Sequence, residues 1–434
     1  MHAGHLAYFK AAKAFGDKLI VSITTDRYVN KGPGRPYFTT KLRAEMVKAL
    51  GVVDEVVISD SPTAVKVIEE IKPDFYVKGP DYKDLTKDVT GEIYNEQKAV
   101  EKHGGQLAFT QEETWSSSTI INRFFQGWSE AQKIQIEQIR ECGGYGEIKK
   151  AIDEIGKVRV VVVGEPILDV YRFCRPEGIS SKSPTISARF EKEEVYQGGA
   201  AAIVNHLKTF CTVESIVTGE KWPKKIRYIS TDKSQRIFEV TEIDEQAWFN
   251  WITLPAADVT VVADFGHGLF EGTRLDVLQN QKGFVGLNVQ TNSSNFGFNV
   301  YKRHKRWDYL CIDRREAELA QHDRKTDIWA LANQIHHKHL PAKLGVTLGA
   351  KGSMLFTNSA KIEKSPAFAD NVVDATGAGD AYFAITTCLL ATGCKPELVP
   401  FIGNVFAGLK TKIIGNKSAV TKAQLLKACE GILK

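Results

Sequence analysis

A chain of 434 residues is longer than one hydrophobic core usually organises, so two domains are expected. Apolar residues at 43% and charged residues at 25% suit a globular protein, no run approaches the ~20 consecutive apolar residues of a membrane helix, and the start lacks a secretory pattern. A formal net charge of +5 favours anionic small molecules without calling for nucleic acid, and seven scattered cysteines with no C-x-x-C pair point to reduced thiols in a cytoplasmic setting.

The front of the chain alternates helical and strand patterns. Leu6, Phe9 and Ala12 share one face of a short helix that ends near Gly16, and Leu19–Ile23 reads as a buried strand. Further strands are expected at Glu55–Ser59, Asp74–Val77 and Gln106–Thr110, the signature of βαβ units and a parallel sheet. Between Trp128 and Lys157, isoleucines recur among charged residues on both sides of Gly143-Gly144-Tyr145-Gly146, which predicts two short helices forming a connector. A second α/β series begins at Val158, with strands at Val158–Gly164, Asp258–Ala263, Phe284–Asn288, Tyr309–Ile312 and Gly345–Leu348. The expected division is residues 1–127, a helical linker 128–157, and residues 158–434.

His2-Ala3-Gly4-His5 opens the first helix, so two imidazoles and free backbone N–H groups share one turn, a corner suited to a phosphate gaining charge. Two nearby histidines are also common on ordinary surfaces, and the motif gains meaning from its company. Lys31-Gly32, Gly34-Arg35-Pro36, Arg43, Lys78-Gly79-Pro80-Asp81-Tyr82 and Ser116-Ser117-Ser118-Thr119 each place a basic or hydroxyl group at an expected strand end or helix start. In this order the set resembles the cytidylyltransferase-like nucleotidyltransferases, over roughly Met1 to Phe125, with sugar-phosphate adenylyltransferase domains as the nearest likeness. The resemblance implies a Rossmann-like domain in which His2 and His5 stabilise the transferring α-phosphoryl group and Lys31 and Arg35 lie near the phosphates. Lys78, Asp81 and Tyr82 would face the sugar phosphate, and Ser116, Ser117, Ser118 and Thr119 would hold the triphosphate of CTP or ATP. Arg43 and Tyr82 read equally well as solvated or packing residues. The family pattern carries a strand before the first histidine, so a first strand is expected to be missing here, through truncation rather than impairment.

In the rear part, Asp374-Ala375-Thr376-Gly377-Ala378-Gly379-Asp380 leads into the helical run Ala381-Tyr382-Phe383-Ala384. Small residues let backbone N–H groups crowd a phosphate at a helix start, and Asp380 can take a proton from an attacking hydroxyl. A glycine turn with a capping aspartate is the bland alternative. The motif resembles a signature of the ribokinase-like (pfkB) carbohydrate kinases, and other segments follow in order: Gly164-Glu165-Pro166-Ile167-Leu168-Asp169, Gln197-Gly198-Gly199, Asp313-Arg314-Arg315-Glu316 and Thr347-Leu348-Gly349-Ala350-Lys351-Gly352. The resemblance implies Asp380 as base and Gly377, Ala378 and Gly379 as anion hole. Asp169, Gly198 and Gly199 would lie at the sugar, Thr347, Gly349, Gly352 and Asn404 on the nucleotide side, and Glu316 near Mg2+; a homodimer is also implied.

Three departures limit the substrate. Ala202 and Ile203 stand where relatives carry a sugar-binding asparagine, which leaves Asn205 as a substitute to be tested. Asp313 replaces an asparagine beside the expected metal, and His267 replaces a lysine, which implies a different or weaker hold on an anionic group. The amide-rich loop Thr291–Asn295 suits either a polyhydroxylated sugar or a capped turn. His336-His337-Lys338-His339 reads as an exposed helix end rather than a metal site, and Tyr301–Trp307 as a solvated basic loop.

Taken together, the sequence implies an α/β bifunctional enzyme. It would phosphorylate a sugar or sugar phosphate with Mg-ATP and join a sugar 1-phosphate to a nucleotide. Two rivals are a kinase-only protein with an impaired front half and a non-catalytic nucleotide- and sugar-binding protein.

Overall fold

The computed structural model describes residues 3–29, 36, 38–79, 92–110, 128–216, 221–232, 235–244, 254–293, 295–357 and 361–434. The chain divides into two compact units, Met1–Trp128 with Leu426–Lys434, and Ser129–Leu425.

In the first unit the expected elements form α1 (Ala3–Lys13), β1 (Ile20–Thr24), α2 (Thr40–Lys48), β2 (Glu55–Ser59), α3 (Val65–Ile71), β3 (Phe75–Lys78), α4 (Glu92–Glu101) and β4 (Gln106–Phe109). β1 pairs with β2 and β3 with β4, both in parallel register. Among the described residues these are two separate pairs, not the single sheet that the βαβ pattern predicts. Each pair keeps its own apolar cluster, Phe9, Ile23, Val47 and Val53 in one and Ile68, Ala99 and Val100 in the other.

The second unit begins with the two connector helices, α5 (Glu130–Glu141) and α6 (Gly144–Ile155). Ser129 and Gln132 start α5 with a reciprocal capping box, and Gly143 at φ 109° turns the chain between the helices. All the strands expected after Val158 are present within a residue or two. β5 (Arg159–Gly164) enters an eight-stranded sheet, and the order of that sheet depends on elements that follow. A long hairpin, β6 (Pro166–Ile179) and β7 (Ile186–Gly199), precedes α7 (Ala200–Leu207) and β8 (Thr212–Ile216); then come β9 (Lys224–Ser230), β10 (Gln235–Glu242) and β11 (Val259–Asp264). The short helix α8 (Arg274–Val277) leads to β12 (Phe284–Val289), β13 (Tyr309–Asp313), α9 (Arg314–Gln321), α10 (Ile328–Lys338), β14 (Lys343–Thr347), β15 (Ser353–Phe356) and β16 (Glu363–Ser365). Helices α11 (Ala378–Ala391) and α12 (Leu398–Lys410) follow, and α13 (Lys422–Leu433) starts in this unit while its residues from Leu426 count with the first.

The large sheet runs β16-β15-β14-β13-β12-β11-β5-β8, parallel from β14 to β8 and antiparallel at the β14–β15–β16 edge. Val160, Val161, Val162 and Val163 are all fully buried, so both faces of the sheet are covered, as parallel sheets require. On one face Val161, Val163, Val262 and Leu287 pack with Leu331 and Ile335 of α10. α11 lies on the sheet too, where the Tyr309 hydroxyl meets Thr386 Oγ1 at 3.1 Å. Its N-terminus, carrying the glycine turn, therefore stands near the carboxyl ends of the parallel strands, where open α/β sheets bind ligands.

A second, four-stranded sheet, β10-β9-β6-β7, was not expected. Its outer strands carry runs such as Glu191-Lys192-Glu193-Glu194, which read as solvated charge, and Ile179, Ile186, Phe190 and Phe238 remain exposed. A further expectation is corrected. The run Tyr301–Trp307 is not a solvated loop, because Tyr301 is buried and buried His304 donates or accepts through Nε2 at 2.7 Å from Asp264. Of the run at the end of α10, His336 is buried against Phe356 whereas His337 and Lys338 are exposed. Among the described residues no group of three or more His, Cys, Asp or Glu side chains is arranged to hold a metal. No helix among them is long and apolar enough to cross a membrane, and all seven cysteines are free.

Candidate active site

The most complete constellation lies in the second unit. Gly377 takes φ 77° as the N-cap of α11, a left-handed conformation natural to glycine, and places Asp380 in the first helical turn. Asp380 is buried, and Gln290, the residue after β12, donates from Nε2 to its Oδ1 while also meeting Asn288 Oδ1 at 3.1 Å. Burial raises its carboxyl to about 6; Gln290 opposes that rise, the nearby charge of Asp169 adds to it, and Lys225 and Lys410 reduce it. A carboxylate poised near neutrality in a buried cleft suits proton abstraction.

Asp169, on β6, reaches the same region. Its Oδ1 accepts from Arg227 Nη1 and its Oδ2 from Asn416 Nδ2 at 3.0 Å. Gly198 lies so close that a Cβ there would sit 2.0 Å from Asp169 Oδ2, so a larger residue would displace that carboxylate. The strand register places Asp169 opposite Lys225 and Tyr171 opposite Arg227, so these four share one face of the small sheet. Arg227 also pairs with Glu239 at 2.9 Å. Lys225 is shifted down by burial and then by the Arg227 charge, which marks a crowded cationic corner.

Behind this corner Glu165 is fully buried and accepts backbone N–H bonds from Phe265, His267 and Leu269, at 2.5, 2.8 and 3.0 Å. Burial and the neighbouring Asp264 push it up to about 8, against the pull of those three donors. It shapes the Phe265–Leu269 loop. His267, in that loop, is fully buried and held down to about 4 by burial and then by Lys225, so at neutral pH it is uncharged and offers no positive charge to an anion. The amide-rich loop caps this same turn: Asn292 and Asn295 donate to the Phe265 carbonyl at 2.8 and 2.9 Å. Ala202 and Ile203 are buried in α7 and Asn205 is exposed on it, whereas Asn416, unremarked in the sequence, is the amide that touches Asp169.

The nucleotide-side residues are placed as follows. Thr347 closes β14, and Gly349 and Gly352 form the turn into β15. Asn404, expected at the adenine, donates from Nδ2 to Ser353 Oγ, the Ser365 carbonyl and the Pro366 carbonyl at 3.1, 2.9 and 3.1 Å, so it clips α12 to the β15–β16 edge. Asn404→Ala is expected to lower stability by about 2 kcal/mol in urea unfolding, since buried carbonyls lose their donor. If Asn404 also touches nucleotide, the KM for ATP rises in the same variant.

Glu316 accepts from the Asp313 N–H at 2.7 Å and the Thr291 N–H at 3.3 Å, and Asp313 caps α9 in return. Burial and the Asp313 charge push Glu316 well above the carboxylate range. One carboxyl already engaged by two backbone donors does not form a resident cage. It fits a magnesium ion that arrives on a triphosphate and keeps most of its water.

In the first unit, His2, Lys31, Arg35, Asp81, Tyr82, Ser116, Ser117, Ser118 and Thr119 lie outside the described residues. His5 sits half-buried on α1 with its ring 6.4 Å from that of Phe9. Lys78, at the end of β3, pairs with Glu96 at 2.6 Å. Arg43 ties its own neighbourhood together, donating to the Thr24 carbonyl at 2.8 Å and pairing with Asp26 at 2.6 Å.

Comparison with known proteins finds two family matches along the chain. Residues 1–124 match the cytidylyltransferase-like family, and residues 229–421 match the pfkB family of carbohydrate kinases. The chain is similar to the bifunctional protein HldE of Aeromonas salmonicida, 42% identical over 124 residues, and to that of Helicobacter pylori strain ATCC 700392 / 26695, 39% identical over 125 residues. Each alignment covers 28% of this chain and 25% of the relative, so the chain spans about a quarter of the length of the curated relatives it matches. A crystal structure of Escherichia coli phosphofructokinase-2 in complex with fructose-6-phosphate overlaps 64% of this chain and 100% of its own, at 13% identity and a TM-score of 0.48. Asp169, Gly198, Gly199 and Arg227 precede the matched pfkB segment, and the bond from Asn416 to Asp169 joins them to it. The chain carries a cytidylyltransferase-like domain at its N-terminus and a pfkB-family domain at its C-terminus.

Proposed function

We propose that the chain is a bifunctional sugar-activating enzyme, and the observation that carries this reading is Asp380. A buried carboxylate near pH 6 stands at a helix start beside a glycine turn, in reach of the Asp169–Arg227 corner. In the rear domain a hydroxyl oxygen of a sugar or sugar phosphate attacks the γ-phosphorus of Mg-ATP. Its proton passes to Asp380, the bond from the γ-phosphorus to the β,γ-bridging oxygen breaks, and ADP leaves. The amides at Gly377, Ala378 and Gly379 face the charge on the migrating group, and Asp169, with Gly198 and Gly199 beside it, accepts from sugar hydroxyls. Thr347, Gly349 and Gly352 border the nucleotide, and Glu316 would hold a magnesium ion brought by ATP, which would offset the phosphate charge.

In the front domain an oxygen of a sugar 1-phosphate attacks the α-phosphorus of ATP or CTP and pyrophosphate leaves. His2 and His5 stabilise the charge there, Lys31 and Arg35 meet the phosphates, Lys78 faces the sugar phosphate, and Ser116–Thr119 hold the triphosphate. By resemblance the sugar is heptose-like, the product is a nucleotide sugar, and the chain pairs as a homodimer. The kinase-only reading draws on the separate strand pairs of the first unit.

A product screen by mass spectrometry, offering a panel of sugars and sugar phosphates with ATP and CTP, decides between them. Phosphorylated sugar with ADP, and nucleotide sugar with pyrophosphate, are the expected products. Phosphorylation without any pyrophosphate leaves the kinase alone, and no product from any sugar overturns the enzymatic reading in favour of a binding protein.

A further inference from the structure

Lys410 is a charged residue that the mechanism above does not use. It ends α12, is fully buried, and donates from Nζ to the carbonyl oxygens of Thr376 at 2.9 Å and Gly415 at 2.6 Å. A Cβ on Gly377 would lie 3.7 Å from that nitrogen, so the ammonium sits directly against the glycine turn. The two segments it joins are already linked to the sugar corner. The Gly415 N–H donates to Asp374 Oδ2 at 2.8 Å, the Tyr171 hydroxyl meets the same oxygen at 3.0 Å, and Asn416 reaches Asp169.

An isolated ammonium buried among apolar side chains is costly, and a methionine of similar length would fill the slot without that cost. Burial pushes the ammonium of Lys410 below its ordinary range, and the charges of Asp374, Asp380 and Asp169 oppose that fall. An ammonium bound by main-chain carbonyls is equivalent to a small monovalent cation in a carbonyl site. Here it is tethered to a helix, so it stays in place as ligands come and go.

We propose that Lys410 is the built-in cation of the phosphoryl-transfer site: a positioning residue that holds the Thr376–Gly379 turn in its donor geometry and places positive charge beneath the anion hole. The proposal rests on the kinase reading of this domain, and it extends that reading to a residue outside the signature motif. It predicts that the site needs no added monovalent cation while Lys410 is present, and acquires such a need when the ammonium is removed.

The test uses the full chain as wild type, Lys410→Met and Lys410→Ala. Calorimetry with a non-hydrolysable ATP analogue is expected to show about tenfold weaker binding in Lys410→Met. Sugar-dependent ATP consumption is expected to fall ~10–100-fold in kcat with the KM for sugar nearly unchanged. Thermal unfolding of Lys410→Met should stay well above the assay temperature although two carbonyls lose their donor, which separates lost charge from lost fold. In Lys410→Ala, ammonium or potassium chloride is expected to restore several-fold of the lost binding and turnover, and tetramethylammonium chloride at equal ionic strength to restore none. Wild-type binding and turnover in Lys410→Met overturn the proposal. So does a loss in Lys410→Ala that no cation relieves and that follows a lowered melting temperature. Wild type that turns over no sugar but binds the analogue, with Lys410→Met binding it more weakly, removes the kinase reading and keeps the role of Lys410. Equal analogue binding by the two removes Lys410 alone.

Discussion

Asp380→Asn is expected to lose ~10²–10⁴-fold in kcat for sugar phosphorylation while unfolding at a higher temperature than wild type at neutral pH. The loss follows from removing the proton acceptor while keeping the side chain's size and its hydrogen bond from Gln290. The gain in stability follows from the raised carboxyl. Because its folded value of about 6 lies above the ordinary 3.8, the native chain binds that proton more tightly than the unfolded one. The stability this group contributes is therefore fully present below about pH 4, is lost as the pH rises through about 6, and stays lost above. At about pH 8 the asparagine variant should be the more stable by at most about 3 kcal/mol, and the difference should vanish near about pH 4. Wild-type kcat should rise with pH through the same region as the base ionises. Melting curves of both proteins across pH, with initial rates of ADP release, check the two statements. An unchanged rate in the variant means that Asp380 takes no proton.

Arg227→Met is expected to cost about 3–5 kcal/mol in urea unfolding and to abolish measurable sugar phosphorylation. Both side chains of the Arg227–Asp169 pair are about 5–6% exposed, so removing the cation strands a carboxylate in a site with little water. Asn416 still donates to Asp169, but one neutral amide replaces little of a guanidinium. The double variant Asp169→Asn with Arg227→Met should recover much of the stability and none of the activity. That pattern separates an electrostatic cost from a packing cost: if the double variant is as unstable as the single, the guanidinium, 5.4 Å from the Tyr171 ring centre, carries the effect through that ring contact.

These two expectations differ in how they were reached. Asp380 was legible because a glycine turn, small residues and an acid before an apolar helix are all local, and α11 starts where that pattern says it should. Arg227 was not, because nothing within a few residues of it marks it. Its partner is 58 positions away, and the two meet only because β6 and β9 pair in parallel register. The four-stranded sheet escaped notice for a related reason: its outer strands β7 and β10 bury little, so period-two alternation there is masked by charge. Asn404 and Glu316 stand where their motifs place them, yet much of their hydrogen bonding goes to the protein's own backbone, which residue type alone does not reveal. His267 is the sharpest case. Its identity suggested a weaker cation in place of lysine, whereas its burial makes it neutral.

By itself the sequence determined the α/β alternation, the position of the main strands, the connector helices, and the turn that presents Asp380. All of these depend on side-chain period and backbone freedom within about a dozen residues. The tertiary structure alone decided which amides meet the two aspartates, Gln290 from 90 positions away and Asn416 from 247, and inserted Lys410 beneath the glycine turn. Such pairings arise when distant strands and helices pack, and burial then sets the charge each group carries, quantities that a linear string of residues does not contain.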